Sequence, residues 1–129
     1  MTQEEKDLLL KDLCARLPYG VKVQHQRPDY LNEVQTIENI SKKYGEIETE
    51  SVLGFVDDFK PYLFPLSSMT DEQEKEYNET LGIVIYTDGT IFKEDKTYYT
   101  LDWLNKHHFD YRGLIERGLA IDATGLNIY

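Results

Sequence analysis

The stretch Leu13-Cys14-Ala15-Arg16-Leu17-Pro18-Tyr19-Gly20-Val21-Lys22-Val23-Gln24-His25-Gln26 changes its periodicity halfway, and the fold class follows from that change. Upstream of the break, Leu9, Leu10, Leu13, Cys14 and Leu17 recur at helical spacing and form one apolar stripe. Glu4, Glu5, Lys6, Asp7, Lys11, Asp12 and Arg16 take the other side. Thr2 and Glu5 fit a capping box, so a helix is expected over residues 2–17. Pro18-Tyr19-Gly20 stops it. Downstream, Val21, Val23 and His25 alternate with Lys22, Gln24 and Gln26, the pattern of a half-buried strand that Pro28-Asp29 ends. A helix whose stripe packs on the domain's own sheet is the economical arrangement. His25, on the valine side, reads as a structural residue.

Working outward, residues 33–40 suit a strand through Val34, Thr36 and Ile40, although Ile37 and Ile40 also suit a helix. Lys42-Lys43-Tyr44-Gly45 is a turn, and residues 46–56 read as one longer strand with an acidic outer face, Gly54 marking a bulge or its end. The segments of Val21, Ile37 and Ile47 therefore suggest an antiparallel meander. Asp57 to Leu66 places Pro61 and Pro65 around an aromatic-rich segment, which predicts an ordered loop over the core and a possible docking surface. Thr70 and Gln73 fit a second capping box, opening an acidic, solvent-exposed helix. Residues 82–87 and 90–92 flank Asp88-Gly89, the sequence of a two-residue type I′ hairpin. Thr97 or Thr100 caps a helix carrying Leu101, Trp103 and Leu104, and Asp110 caps a short turn that Gly118 closes. The fold class expected is α+β: a single domain over 1–129, with an antiparallel sheet of four to six strands, an N-terminal amphipathic helix and C-terminal helices packed on it.

Composition bounds the function. The 129 residues carry 14 Lys+Arg against 24 Asp+Glu, a net charge of −10, and nine of the ten excess negative charges fall in residues 31–90. Nucleic-acid binders concentrate positive charge, so direct nucleic-acid binding is not expected, and Lys106, Arg112 and Arg117 are too few to reverse that. The longest apolar run is four residues, so no membrane span is expected, and the acidic Met1-Thr2-Gln3-Glu4-Glu5 start points to a cytoplasmic protein. The single cysteine, Cys14, excludes an internal disulfide and reads as a small core residue.

No Walker A, G-x-G-x-x-G, G-x-S-x-G, H-E-x-x-H or EF-hand pattern is present, so no cofactor and no catalytic residue is expected. His107-His108-Phe109-Asp110 is the one chemically capable cluster. Neighbouring histidines on a helix diverge by about 100°, which leaves His107 with Asp110 as the pair able to share a metal. Two ligands make a weak site, so no metal is assigned.

Three segments carry a resemblance: Lys11 to Val23, Lys60 to Thr70, and Trp103 to Ile115. They resemble an uncharacterised family of short hypothetical proteins of gut anaerobic bacteria and their prophages. The resemblance implies a cytoplasmic accessory protein from a mobile element and brings no activity, cofactor or catalytic residue with it. Within those segments Tyr62, Phe64, Trp103, His107, His108, Tyr111 and Arg112 are expected to form one solvent-facing aromatic, polar patch. The function that follows is a small non-enzymatic module that binds a protein partner. An acidic mimic of nucleic acid that occupies a DNA-binding protein is the alternative. A small enzyme or metal-binding protein using His107, His108 and Asp110 is the third.

Overall fold

A computed structural model of the protein describes residues 1–30, 33–85, 87–93 and 97–129. Helix α1 spans Gln3–Arg16. The Thr2 hydroxyl accepts the Glu5 N–H at 3.1 Å and the Glu5 carboxylate accepts the Thr2 N–H at 2.9 Å, completing the expected capping box. The inward face is Leu9, Asp12, Leu13 and Arg16. The expected division of this helix therefore fails at Asp12 and Arg16, which are fully buried. They stand one turn apart and satisfy each other, so the helix buries two charges as a pair. Cys14 is only half-buried rather than a core residue.

The strands are β1 (Lys22–His25), β2 (Val34–Ser41), β3 (Glu46–Thr49), β4 (Leu53–Phe55), β5 (Phe59–Leu63), β6 (Ile83–Ile85), β7 (Ile91–Lys93) and β8 (Ile121–Asp122). Six of them form one sheet in the order β4-β3-β2-β1-β5-β8, in which β3-β2-β1 is the expected meander. Every neighbouring pair is antiparallel except β5 and β8, which run parallel. Leu9 and Leu13 of α1 pack with Val21, Val23, Ile37, Ile47, Phe59 and Leu63 of the sheet region and with Leu114 and Leu119 near the C-terminus. Each such side chain contributes about 1.5–3 kcal/mol by leaving water.

The mixed periodicity of β2 has a physical cause. Ile37 pairs with Thr49, but Ile40 pairs with Ile47, so one extra residue is inserted between them. Gln35 and Ile37 face inward, and after this bulge Ile40 does too, which gives the i, i+3 spacing of a helix within a strand. Of Val34, Thr36 and Ile40, the residues whose spacing suited a strand, the first two lie on the face opposite Gln35 and Ile37, and Val34 is exposed.

Residues 46–56 are not one strand but two. Thr49 accepts the Ser51 and Val52 N–H groups on its hydroxyl, at 3.3 and 3.1 Å, and folds the chain back into β4. Gly54 is the point of closest approach in β4. A Cβ there would lie 2.9 Å from Phe59 Cε2 and 3.1 Å from Asp58 Oδ2.

Residues 59–63, expected as a loop, form the inner strand β5 despite Pro61. Gln26 N–H bonds Asp58 O at 2.7 Å, and the antiparallel alternation then makes Val23 and Pro61 a non-hydrogen-bonded pair. The donor that proline lacks would have pointed away from β1, and pairing with β8 begins only at Tyr62.

Strands β6 and β7 pair as a separate hairpin. Their register, Ile85 with Ile91, does not admit the expected two-residue turn. A type I′ turn needs positive φ at both central residues, and here Gly89 has it (φ 87°) while Asp88 does not. Asp88 instead accepts the Thr90 N–H at 2.9 Å. Residue 86 of the expected 82–87 strand, and the side chains of residues 83–86, lie outside the described residues.

Helix α2 spans Asp71–Thr80, with the Thr70–Gln73 capping box in place and no buried residue, as its charge predicted. Helix α3 spans Thr97–Lys106. Thr100 lies inside it rather than capping it, and its hydroxyl donates to Thr80 O at 3.0 Å, tying α3 to α2. Among the described residues no helix is long and apolar enough to cross a membrane.

Candidate functional site

The residues singled out from the sequence gather around the C-terminal end of α3. That helix ends at Lys106, so His107 and His108 are not helical neighbours, and the spacing argument for a His107–Asp110 metal pair loses its premise. The chain leaves through a Schellman motif: His108 N–H bonds Asn105 O at 3.2 Å and Phe109 N–H bonds Leu104 O at 2.9 Å. His108 takes the left-handed position that glycine usually holds, with φ 60°. Asp110 then spends both carboxylate oxygens on the Leu114 and Ile115 N–H groups, each at 2.9 Å. Asp110 does hold a turn that Gly118 closes, but the turn starts at Leu114 rather than at Tyr111, and it ends through a second Schellman pattern, Gly118 N–H to Ile115 O and Leu119 N–H to Leu114 O. Among the described residues no three His, Cys, Asp or Glu side chains are placed to hold a metal.

Two networks take up the other singled-out residues except Tyr62. The first is ionic. Arg16 Nε donates to Asp12 Oδ2 at 2.9 Å, and its Nη2 donates to Asp12 Oδ1 at 3.2 Å and to Phe109 O at 2.6 Å. Arg112 Nη1 reaches the same Asp12 Oδ1 at 2.7 Å and the Tyr111 hydroxyl at 2.7 Å, while that hydroxyl donates to Asn105 Oδ1 at 2.9 Å. Tyr111 and Arg112 therefore join α1 to the end of α3. The Tyr111 ring also lies under both guanidinium groups, at 5.4 Å from Arg16 and 4.6 Å from Arg112.

The second network is aromatic. Trp103 stacks on Phe109 (5.5 Å, 8°), touches His107 (4.5 Å) and meets Tyr77 of α2 (5.8 Å). Phe109 adjoins Phe64, Phe64 adjoins Tyr129, and Tyr129 stacks on His108 (3.8 Å, 11°). Burial, with Arg16 and His107 nearby, holds the His108 imidazole well below its ordinary value, at about 4.

Six of the seven expected patch residues thus lie in two adjoining networks, Tyr62 reaching them only through its backbone carbonyl, and the patch is not solvent-facing. Tyr62 is 6% exposed and His108 5%, and Phe64, Trp103, His107, Tyr111 and Arg112 are half-buried. Only Trp103 and His107 among them line the groove of about 660 Å³ between α2 and α3, with Glu76, Glu79, Thr80, Tyr99 and Lys106. Trp103 Nε1 donates to Glu76 Oε2 at 3.4 Å. Burial lowers the His107 imidazole, against the opposing pull of Glu76. With His107 neutral, the groove walls carry two carboxylates against one ammonium. The acidic composition of α2 predicts a solvated helix and gives no sign of a groove beside it. The available signal was Tyr99, Trp103 and Lys106 at i, i+4 and i+7, facing Glu76 and Glu79 at i and i+3.

No family model matches the chain, and no curated protein and no solved structure is significantly similar to it.

Proposed function

We propose that the protein is a non-enzymatic interaction module of the cytoplasm that takes a basic segment of a partner protein into the α2–α3 groove. The observation that carries this reading is the groove itself, where Glu76 and Glu79 stand beside the Trp103 and Tyr99 rings. Carboxylates attract a Lys or Arg side chain, and aromatic faces hold its stem and its charge. The acidic run of α2, Asp71 to Glu79 with Lys75 as its one cation, extends the same attraction along the helix. An accessory role in a mobile element, which the resemblance implies, is compatible with such a module.

Trp103 is the only tryptophan, so its fluorescence reports the groove directly. Titration with hexa-arginine should shift its emission, weaken as salt rises, and weaken about tenfold in E76Q/E79Q, the sum of two partly exposed ion pairs. Emission that does not respond, or a response unchanged in E76Q/E79Q, overturns the reading. The acidic-mimic alternative predicts salt-sensitive binding to a DNA-binding protein with Trp103 silent, because charge alone needs no aromatic contact.

A further inference from the structure

The ladder between β1 and β5 has a side chain in place of one rung. Gln26 with Asp58, and Gln24 with Lys60, set the alternation that makes Lys22 and Tyr62 the next hydrogen-bonded pair. There the Lys22 N–H donates to the Tyr129 hydroxyl at 2.9 Å, and that hydroxyl donates to Tyr62 O at 2.8 Å. A phenol oxygen, donor and acceptor at once, is what such a gap accepts. The residue stays 42% exposed, and its ring is held from one side. His108 stacks on it at 3.8 Å, Phe64 meets it at 5.9 Å, and Lys22 Nζ lies 6.0 Å from its centroid.

Two independent features mark the floor of this socket. His108 holds its ring there from a left-handed backbone position, a conformation that glycine would adopt without strain. Its Nδ1 is buried and has no hydrogen-bond partner among the described residues. The left-handed position belongs to the Schellman end of α3, and the unpaired Nδ1 is the feature of this residue that no structural contact accounts for.

We propose that this socket is a binding site for a tyrosyl side chain, which Tyr129 occupies from within the chain and which a tyrosine-bearing peptide can occupy in its place. The site is separate from the α2–α3 groove and does not depend on the function proposed for it. The tethered residue competes at the effective concentration its short link provides, so an external tyrosine binds the wild-type chain more weakly than it binds a chain from which Tyr129 is removed.

The test uses Y129A in the full chain, with para-cresol as the probe and toluene as the same shape lacking the hydroxyl. The expected result is saturable binding of para-cresol by Y129A at millimolar concentrations, with the Lys22 amide resonance shifting and the melting temperature rising. Toluene should bind at least several-fold more weakly and leave the Lys22 amide in place, and the wild-type chain should bind para-cresol more weakly than Y129A does. A peptide Thr-Gly-Leu-Asn-Ile-Tyr, copying residues 124–129, should bind Y129A more tightly than wild type. Equal binding of toluene and para-cresol, or no binding of either by folded Y129A, overturns the proposal. Should Y129A fail to fold, Y129F keeps the ring and lacks the hydroxyl. A Lys22 amide resonance unchanged between Y129F and wild type overturns it as well.

Discussion

Asp12 lies between two guanidinium groups: its Oδ1 accepts from Arg16 Nη2 at 3.2 Å and from Arg112 Nη1 at 2.7 Å. Arg16 is also fully buried, and its other donors reach the Leu104 and Phe109 carbonyls at the end of α3. The carboxylate thus joins α1 to the C-terminal part of the chain through two cations. Removing it strands charge in the interior. D12A should cost about 3–5 kcal/mol in urea unfolding, the range for breaking a buried pair by deleting one partner. R112A should cost less, about 1.5–3 kcal/mol, since that side chain retains 16% exposure and leaves Asp12 paired with Arg16. Equal losses in the two variants would show that Arg112 is as deeply committed as Asp12.

His108 makes stability depend on pH in a definite direction. Its imidazole titrates at about 4 in the folded protein, chiefly because burial disfavours the cation, with Arg16 and His107 adding to the effect and Asp12 opposing it. The unfolded chain titrates near 6.5. Between these values the unfolded state binds more protons, so stability falls as pH falls from 6.5 to 4. The full effect is about 3 kcal/mol. H108N keeps a residue that tolerates the left-handed position and removes the titration. Its stability should be flatter over this range, leaving the smaller slope of His25 and His107, both also lowered by burial. A slope as steep in H108N as in wild type would place the proton uptake elsewhere.

What the sequence disclosed divides along local and non-local lines. The capping boxes at Thr2 and Thr70, the break at Pro18-Tyr19-Gly20 and the alternation at Val21 to His25 are written in neighbouring residues, and each appears in the structure. The inner position of β5 was hidden because a proline disqualifies a strand only where its missing donor is needed, and that depends on β1 and β8. Asp12 and Arg16 read as surface because their pairing partners include residues about a hundred positions away. The candidate cluster was legible as a set of residue types near Trp103 and His108. Its inward packing was not, since burial of these rings is decided by Phe64, Phe109 and Tyr129 meeting in space.

Gly54 permits the contact on which the β4–β5 corner rests. The Phe59 ring fills the space a Cβ would take, 2.9 Å away, and Phe59 is itself fully buried, so neither partner can give way freely. G54A should destabilise by about 1–3 kcal/mol, the usual penalty for overpacking a filled site. F59L removes the ring that blocks the methyl group. Its own loss and that of G54A should therefore sum to more than the loss in the double variant, by a margin visible in a double-mutant cycle. Strict additivity would mean the clash is relieved by backbone movement instead.

Asp58 protects an exposed sheet edge. Ile47 with Gly54 is a hydrogen-bonded pair of β3 and β4, so the N–H groups of Leu53 and Phe55 point outward, where a second strand could bind them. Both side chains are exposed, at 67% and 53%, which adds apolar surface to that edge. The Asp58 carboxylate takes the Phe55 N–H at 2.9 Å and places a negative charge beside it. Losing that bond should cost about 1 kcal/mol of stability. The larger consequence is intermolecular: D58A frees a donor and removes a repulsive charge next to two exposed apolar side chains. Light scattering should show concentration-dependent association of D58A under conditions where wild type remains at a single mass, and L53K in the D58A background should reverse it by restoring charge at the same edge. Association of D58A that L53K leaves untouched would locate the sticky surface away from β4.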